Sequence, residues 1–179
     1  MIEQDTPVFL VGYMASGKST VGRKLARRMG REFLDTDIFI ERRFRKSVAD
    51  IFVSEGEDPF RRRETMVIEE LSGYPNAVIA TGGGLPCHHN NMDLMNQCGT
   101  TVYLKLPISN LVDRIELCKR TRPSVRELTG EALREHVTRA MALRAPIYEQ
   151  AQYIIPCDEV YTLNDEERVA EQIATLLLS

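Results

Sequence analysis

The chain has no run of 18 consecutive apolar residues, so it carries no helix-length stretch suited to crossing a membrane. Its start, Met1-Ile2-Glu3-Gln4-Asp5-Thr6, is acidic and lacks the basic opening and apolar core of a signal peptide. A soluble, cytoplasmic protein is the expectation. No C-x-x-C pair occurs among Cys87, Cys98, Cys118 and Cys157, which argues against a zinc site or a disulfide framework and suits a reducing compartment. There is no excess of positive charge either. With 23 Lys and Arg against 26 Asp and Glu the net charge is -3, so nothing draws the chain generally to nucleic acid or to an anionic membrane. Any anion must be bound by a local cluster. Internal repeats and low-complexity tracts are missing too, and 179 residues suit one domain, 1-179, with a sizeable core.

What is present is organised around Gly12-Tyr13-Met14-Ala15-Ser16-Gly17-Lys18-Ser19, which has the spacing G-x-x-x-x-G-K-[ST] of a phosphate-binding loop. Before it, Val8-Phe9-Leu10-Val11 reads as a strand buried on both faces. After it, Val21, Leu25, Ala26 and Met29 recur at helical spacing. A strand running through a Gly-rich turn into a helix is the context the motif needs, and it weighs against a chance match in an ordinary turn. Gly12 and Gly17 let the backbone turn and point its N–H groups inward, and the helix N-terminus adds partial positive charge. Lys18 is expected to reach the β- and γ-phosphates of a nucleotide, and the Ser19 hydroxyl to hold magnesium.

Along the chain, apolar strand-like runs alternate with amphipathic helical segments, which predicts an α/β fold built of βα repeats around a parallel sheet. Gly30 suits a helix C-cap, and Glu32-Phe33-Leu34 a second strand running into Asp35-Thr36-Asp37. Ligands of open α/β sheets bind beyond the strands' carboxyl ends, so Asp35 and Asp37 are expected on the same rim as the phosphate loop. If the backbone stays extended, a spacing of two points both side chains the same way. For Asp37 alone, a helix N-cap is the ordinary explanation. The basic runs at Arg42, Arg43, Arg45 and Lys46 and at Arg61, Arg62 and Arg63 are ordinarily solvated faces. Three successive helical residues point about 100° apart, so one ligand-binding arginine is expected at 61 to 63 rather than three. Gly56 and Pro59 in the preceding Glu55-Gly56-Glu57-Asp58-Pro59-Phe60 predict a loop entering that helix.

Ala77-Val78-Ile79-Ala80 predicts another buried strand, ending in Thr81-Gly82-Gly83-Gly84, where three glycines suggest close approach of a ligand to backbone. Thr101 to Leu104 and Tyr153 to Ile155 supply further strands. Helices are expected around Leu111 and Ile115, around Leu133, Val137 and Met141, and from Asn164 to Leu178. Between the first two lies Lys119-Arg120-Thr121-Arg122-Pro123-Ser124, basic and with little to bury, like a mobile flap. His88, His89 and His136 have no ligand-spaced partners and read as surface or loop residues.

Taken together, these motifs closely resemble those of the shikimate kinase family. The ordered set is the glycine-rich loop continuing as Gly17-Lys18-Ser19-Thr20-Val21-Gly22, then Asp35-x-Asp37, Ala49-Asp50-Ile51-Phe52, Glu55-Gly56-Glu57, Phe60-Arg61-x-x-Glu64, Gly82-Gly83-Gly84, Arg122-Pro123 and Arg144-x-Pro146-x-Tyr148. It spans roughly residues 8 to 178. Singly only the phosphate loop is specific; in order the set is very specific.

The resemblance implies a three-layer P-loop kinase fold like that of the nucleoside monophosphate kinases, with a five-stranded parallel sheet in order 2-3-1-4-5 flanked by helices. It implies phosphorylation of shikimate's 3-hydroxyl by ATP with one Mg2+ ion, on the way to chorismate and the aromatic amino acids. By position, Gly12, Ala15, Ser16, Gly17, Lys18, Ser19 and Thr20 would hold ATP, and Ser19 and Asp35 the metal. Asp37 would accept or orient the attacking hydroxyl, with Arg61, Gly83 and Arg144 binding shikimate, the arginines through its carboxylate. Arg122, in a lid over about 119-129, would reach the transferring phosphate; Lys18, Asp37 and Arg122 form the catalytic set and 35-64 the acceptor-binding region. Arg114 and the segment Glu159 to Thr162 mark the adenine side by position only. There are three departures from the family pattern: Ala15 and Arg45 where Gly is common, and Ser124-Val125 where two leucines are. The expected partners are ATP and shikimate, with no nucleic acid, no membrane and a monomeric chain. Two competing readings are a gluconate kinase of the same fold, which would not need this pair of arginines, and a silent nucleotide-binding protein, in which loss of Lys18, Asp37 or an arginine would be expected.

Overall fold

Five strands, β1 (Val8–Val11), β2 (Glu32–Asp35), β3 (Ala77–Ala80), β4 (Thr100–Lys105) and β5 (Tyr153–Pro156), form one parallel sheet in order β2-β3-β1-β4-β5. These come from a computed structural model that describes residues 6–119, 124–158 and 163–178. The central strand β1 is fully buried, as the unbroken run Val8-Phe9-Leu10-Val11 requires of a strand covered on both faces. Leu10 lies opposite Ala80 on one side and Val102 on the other, so the carboxyl ends of β3, β1 and β4 come out on one rim. Parallel neighbours need helical crossovers, and helices cover the sheet.

Helix α1 (Lys18–Met29) buries Val21, Leu25 and Ala26 against the sheet, and Gly30, at φ 64°, ends it with its N–H turned back to Ala26 and Arg27 carbonyls. At Gly22 a Cβ would lie 2.6 Å from the Phe33 ring, so the missing side chain lets α1 lie close on β2. Lys24 and Arg28 pair with Glu167 of α8 (Leu163–Leu178), fastening the first helix to the last.

After α2 (Thr36–Phe44) come α3 (Val48–Glu55) and α4 (Glu57–Leu71). Here the expected loop over 55–60 is replaced by helix: Gly56 alone, at φ 88°, separates α3 from α4. Pro59 falls in the first turn of α4, where a missing N–H leaves no intrahelical bond unmade. Ser47 caps α3 in exchange with Asp50, accepting from its N–H at 3.0 Å and donating to its carboxylate at 2.7 Å. A 3-10 turn (Leu85–Cys87) and α5 (Asn91–Cys98) lie between β3 and β4, and neither is visible in the sequence pattern. Helix α6 (Ile108–Cys118) follows β4, and α7 (Gly130–Tyr148) precedes β5.

The segment expected to be a flap is better anchored than its composition suggests. Val125 is fully buried, Leu128 packs against the core, and the Lys119 ammonium donates to the Leu128 carbonyl at 2.9 Å. Residues 120–123, with Arg122, lie outside the described residues, as do 159–162. Two of the departures from the family pattern have a common geometry. Ala15 and Arg45 both sit in the left-handed region, at φ 62° and 53°, where glycine is the unstrained residue.

Candidate active site

The phosphate loop leaves β1 at Gly12, whose φ of 146° and whose 3.0 Å approach of a would-be Cβ to the Leu104 carbonyl leave no room for a side chain. Gly17, at φ 93°, turns the chain into α1. Lys18 is buried at 8 % exposure, and its ammonium donates to the carbonyls of Gly12 and Tyr13, both at 2.8 Å, and to the Ser16 hydroxyl at 3.4 Å. The charge expected to reach phosphates is thus held inside the loop by the loop's own oxygens. The Ser19 hydroxyl donates to Asp35 Oδ2 at 2.7 Å, joining the two residues the motif and the resemblance assign to magnesium.

Asp35 and Asp37 both line the same cleft as Lys18 and Ser19, but not through an extended backbone. Helix α2 begins at Thr36. Asp35 is its cap, with Oδ1 accepting from the N–H groups of Asp37 at 3.1 Å and Ile38 at 3.3 Å. The capping role thus belongs to Asp35, and Asp37, in the first turn, faces the cleft. Between them the buried Thr36 hydroxyl accepts the Gly82 N–H at 2.8 Å, tying α2 to the end of β3.

The three glycines make room chiefly for the protein's own side chains. A Cβ on Gly82 would fall 2.6 Å from Asp37 Oδ1 and 3.0 Å from Glu64 Oε1, and one on Gly84 2.5 Å from the Arg61 guanidinium. One on Gly83 would meet the Met14 N–H nitrogen at 3.2 Å. Gly82 and Gly83 also line the cleft, so the expected ligand approach stays open there, whereas Gly84 serves Arg61.

Of the arginines at 61 to 63, Arg61 alone is buried, as the helical spacing predicts for one of the three. Its guanidinium is clamped between Glu57, which accepts from Nε at 3.0 Å and Nη2 at 2.9 Å, and Glu64, which accepts from Nη1 at 2.6 Å. Phe52 and Phe60 stack near it, at 5.7 and 5.4 Å. Arg63 turns away to Glu55, and Arg62 is exposed. Arg144, from α7, lies over the Tyr13 ring at 5.5 Å. The Tyr148 hydroxyl, one turn on, donates to the Gly83 carbonyl at 2.5 Å, and burial pushes its pKa far up, so it remains a donor.

Glu64 is the residue that reasoning from single residues passes over. It is 1 % exposed, and burial pushes its carboxyl up to about 7; Arg61 and Arg144 oppose that rise and the charge of Asp37 adds to it. Its signal in the sequence is Arg61-x-x-Glu64, since a spacing of three on a helix puts the pair on one face. Tyr13 and Tyr148 likewise fall inside the family motifs without a role assigned to them there.

The other end of the cleft is lined by Arg114, Leu117 and Cys118 of α6 and by Glu166 of α8. Arg114 Nη1 donates to the Ala15 carbonyl at 3.1 Å, so this side chain, placed on the adenine side by position, lies against the phosphate loop. The cavity measures about 310 Å³. Among the described residues no group of three or more His, Cys, Asp or Glu is arranged to hold a metal.

A phosphate loop at the centre of a parallel sheet, with carboxylates and a buried arginine across the cleft, defines a P-loop kinase that phosphorylates a small molecule. The comparisons with known proteins narrow the class. The family model of shikimate kinase matches residues 14–177. A shikimate kinase from Parabacteroides distasonis is 41 % identical over 170 residues, 95 % of this chain and 98 % of the relative. The crystal structure of shikimate kinase from Bacteroides thetaiotaomicron superposes with a TM-score of 0.92 at 37 % identity, covering 97 % of this chain and 99 % of that one. The solved structure of the Acinetobacter baumannii shikimate kinase in complex with shikimate gives a TM-score of 0.86 at 38 % identity, covering 98 % of this chain and 94 % of that one. A gluconokinase from Sinorhizobium meliloti, at 19 % identity and a TM-score of 0.58, shares the fold alone. The chain belongs to the shikimate kinase family. Its activity is the family's, the ATP-dependent phosphorylation of the 3-hydroxyl of shikimate in chorismate and aromatic amino acid biosynthesis.

Proposed function

We propose that this chain's own residues carry the shikimate kinase reaction in the following roles. The observation that supports them best is the convergence of Asp37, Glu64 and Arg61 around Gly82 and Gly84, across the cleft from the phosphate loop. Shikimate's carboxylate pairs with Arg61 and Arg144 and with the Gly83 N–H, which leaves its hydroxyls toward Asp37. Asp37 accepts the proton of the 3-hydroxyl as that oxygen bonds to the γ-phosphorus and the bond to the ADP oxygen breaks. Glu57 and Glu64 act as positioning residues, holding the guanidinium of Arg61 in one plane before substrate arrives. Gly12, Ala15, Ser16, Gly17, Ser19 and Thr20 cradle the phosphates of ATP, and Lys18 exchanges its carbonyl partners for phosphate oxygens.

The donor set around Ser19 and Asp35 suits Mg2+. It offers hard oxygens only, and the ion takes one or two protein ligands and completes its shell with phosphate oxygens and water. When bound, one magnesium ion would neutralise charge on the β- and γ-phosphates. We further infer one P-loop kinase domain over 1–179, an acceptor-binding region over 35–64 and a lid over 119–129 from which Arg122 reaches the transferring phosphoryl. Arg122 is assigned on its charge and place in the sequence. The chain is taken to act as a monomer, since the most exposed large apolar side chains among the described residues, Val53, Leu117 and Leu143, are on three different helices. No disulfide joins its four cysteines, in keeping with a cytoplasmic setting.

A coupled assay of ADP formation with ATP, magnesium and a panel of polyol acids tests the reading. Turnover is expected with shikimate and not with gluconate. Equal ADP release with and without shikimate would refute the acceptor site.

A further inference from the structure

Tyr13 is the second residue of the phosphate loop, at a position whose identity the motif leaves open, yet it is only 2 % exposed. A buried ring is ordinarily core filling, and Tyr13 does pack into the core. Core filling does not account for the cation on it. Arg144, reaching over from α7, places its guanidinium carbon 5.5 Å from the centre of the Tyr13 ring, within the range of a cation–π contact. Burial pushes the Tyr13 pKa up against the charge of Arg144, so the ring stays a neutral phenol and holds the guanidinium through its π face. Other acceptor groups lean on the same stretch of loop. A Cβ on Gly83 would lie 3.2 Å from the Met14 nitrogen and 3.6 Å from both the Gly12 carbonyl oxygen and the Tyr13 carbonyl carbon. Tyr148 donates to the Gly83 carbonyl, and Arg144 is close enough for its charge to oppose the rise that burial gives the Tyr148 pKa. The loop backbone at 12–14, Gly83 after β3, and Arg144 and Tyr148 on α7 thus form one closed ring of contacts.

The loop's own hydrogen bonds make this platform sensitive to phosphates. The Tyr13 carbonyl accepts from Lys18 Nζ at 2.8 Å and from the Ser16 N–H at 3.3 Å, and the Gly12 carbonyl accepts from Lys18 Nζ at 2.8 Å. These carbonyls belong to the two peptide units on either side of the Tyr13 Cα. Phosphates that draw Lys18 away therefore take a partner from both units at once, and act on the seat of Arg144 and on the backbone beneath Gly83. Whichever substrate binds first fixes that shared stretch and the second has less left to order, so each strengthens the other, by the same factor. Direct repulsion between the phosphates and a carboxylate would have the opposite sign. This step rests on the reading above, in which Gly83 and Arg144 hold the acceptor and Lys18 exchanges its carbonyl partners for phosphate oxygens.

We infer that Tyr13 is a positioning residue for the acceptor: its ring seats Arg144, and through that contact the binding of phosphates in the loop strengthens the binding of shikimate. The test titrates shikimate calorimetrically into the wild type, Tyr13→Phe, Tyr13→Leu and Arg144→Ala, each alone and with saturating AMP-PNP and magnesium. AMP-PNP should tighten shikimate binding to the wild type by about 5-fold or more, the low end of couplings between sites. Tyr13→Phe keeps the π face and should keep that factor. Tyr13→Leu keeps apolar bulk without the face; it should weaken shikimate binding by about 2- to 30-fold, the range of a cation–π contact. It should also abolish the tightening, while its affinity for AMP-PNP without shikimate stays within about twofold of the wild type. Arg144 is half-buried, so Arg144→Ala does not put the core at risk, and it should bind shikimate weakly and lose the tightening as well. The inference is overturned if AMP-PNP leaves the wild-type affinity for shikimate unchanged, a measurement that needs no variant to fold. It is equally overturned if Tyr13→Leu keeps the wild-type factor, since the coupling would then run through the lid or the metal, or if Tyr13→Phe loses it as fully as Tyr13→Leu. Loss of AMP-PNP binding by Tyr13→Leu in the absence of shikimate would make the ring a support of the phosphate loop alone and overturn it too. Failure of the acceptor reading looks different, because Arg144→Ala would then bind shikimate as the wild type does.

Discussion

Replacing Glu64 by Gln should flatten two pH dependences at once. Glu64 is 1 % exposed, Arg61 Nη1 donates to it at 2.6 Å, and burial, with the nearby charge of Asp37 adding to it, pushes its carboxyl up to about 7 against the favourable charges of Arg61 and Arg144. A carboxyl whose pKa is raised on folding keeps a proton in the folded state that the unfolded chain has already lost. The stability tied to that proton is full below the unfolded value of 4.5 and is lost as pH rises through about 7. At 1.36 kcal/mol per unit, the span corresponds to a loss of at most about 3 kcal/mol between acid and neutral pH. Substrate acts in the same direction. An anion on Arg61 and Arg144 takes up part of the positive potential that favours ionised Glu64, so shikimate binding should draw in a proton near neutral pH, and its affinity should fall as pH rises. A glutamine at this position has nearly the same shape and no titration. Urea unfolding at several pH values between about 5 and 8, in wild type and Glu64→Gln, isolates the group's contribution as the difference between the two profiles. Calorimetric titration with shikimate in two buffers of different ionisation enthalpy reads the proton uptake. Parallel unfolding profiles, together with no proton uptake in the wild type, would show that Glu64 is ionised throughout and refute the reasoning.

Asp37→Asn keeps size and removes the base, so kcat should fall by roughly 10²- to 10⁴-fold with the fold intact, and near-normal turnover in a steady-state assay would leave Asp37 only a place in the first turn of α2. Arg61→Ala and Arg144→Ala should each raise the KM for shikimate by about 10- to 100-fold and change that for ATP little, which a two-substrate kinetic matrix distinguishes from general damage. Arg45, exposed at the C-cap of α2 with φ 53°, should be better served by glycine; Arg45→Gly is expected to raise unfolding stability by about 1 kcal/mol, and a loss in thermal or urea unfolding would mean that the arginine side chain makes up for its backbone strain.

The sequence by itself determined the local features whose cause is local. A buried β1 followed by Gly12, Gly17 and Lys18, the alternation of strands and helices, Gly30 as a C-cap, and one inward arginine among 61 to 63 all follow from period and backbone preference, and all are present. The resemblance of ordered motifs supplied the strand order. Helix α5 leaves no legible pattern because its eight residues bury only Asn91, Met92 and Met95, too few to display a helical period. The break at Gly56 reads as a loop in sequence because Gly and Pro punctuate loops and helix starts alike. What only the tertiary structure decided depends on neighbours brought from separate elements. Asp35 rather than Asp37 caps α2 because β2 ends one residue before the helix begins. Gly84 is required by a guanidinium 23 positions away on α4, and the Glu64 carboxyl is pushed up because the assembled fold buries it, a desolvation that no single segment can impose. Arg114 and Glu166 are 52 residues apart, on α6 and α8, and meet only because β4 and β5 are adjacent in the sheet and carry both helices to the rim beside the phosphate loop.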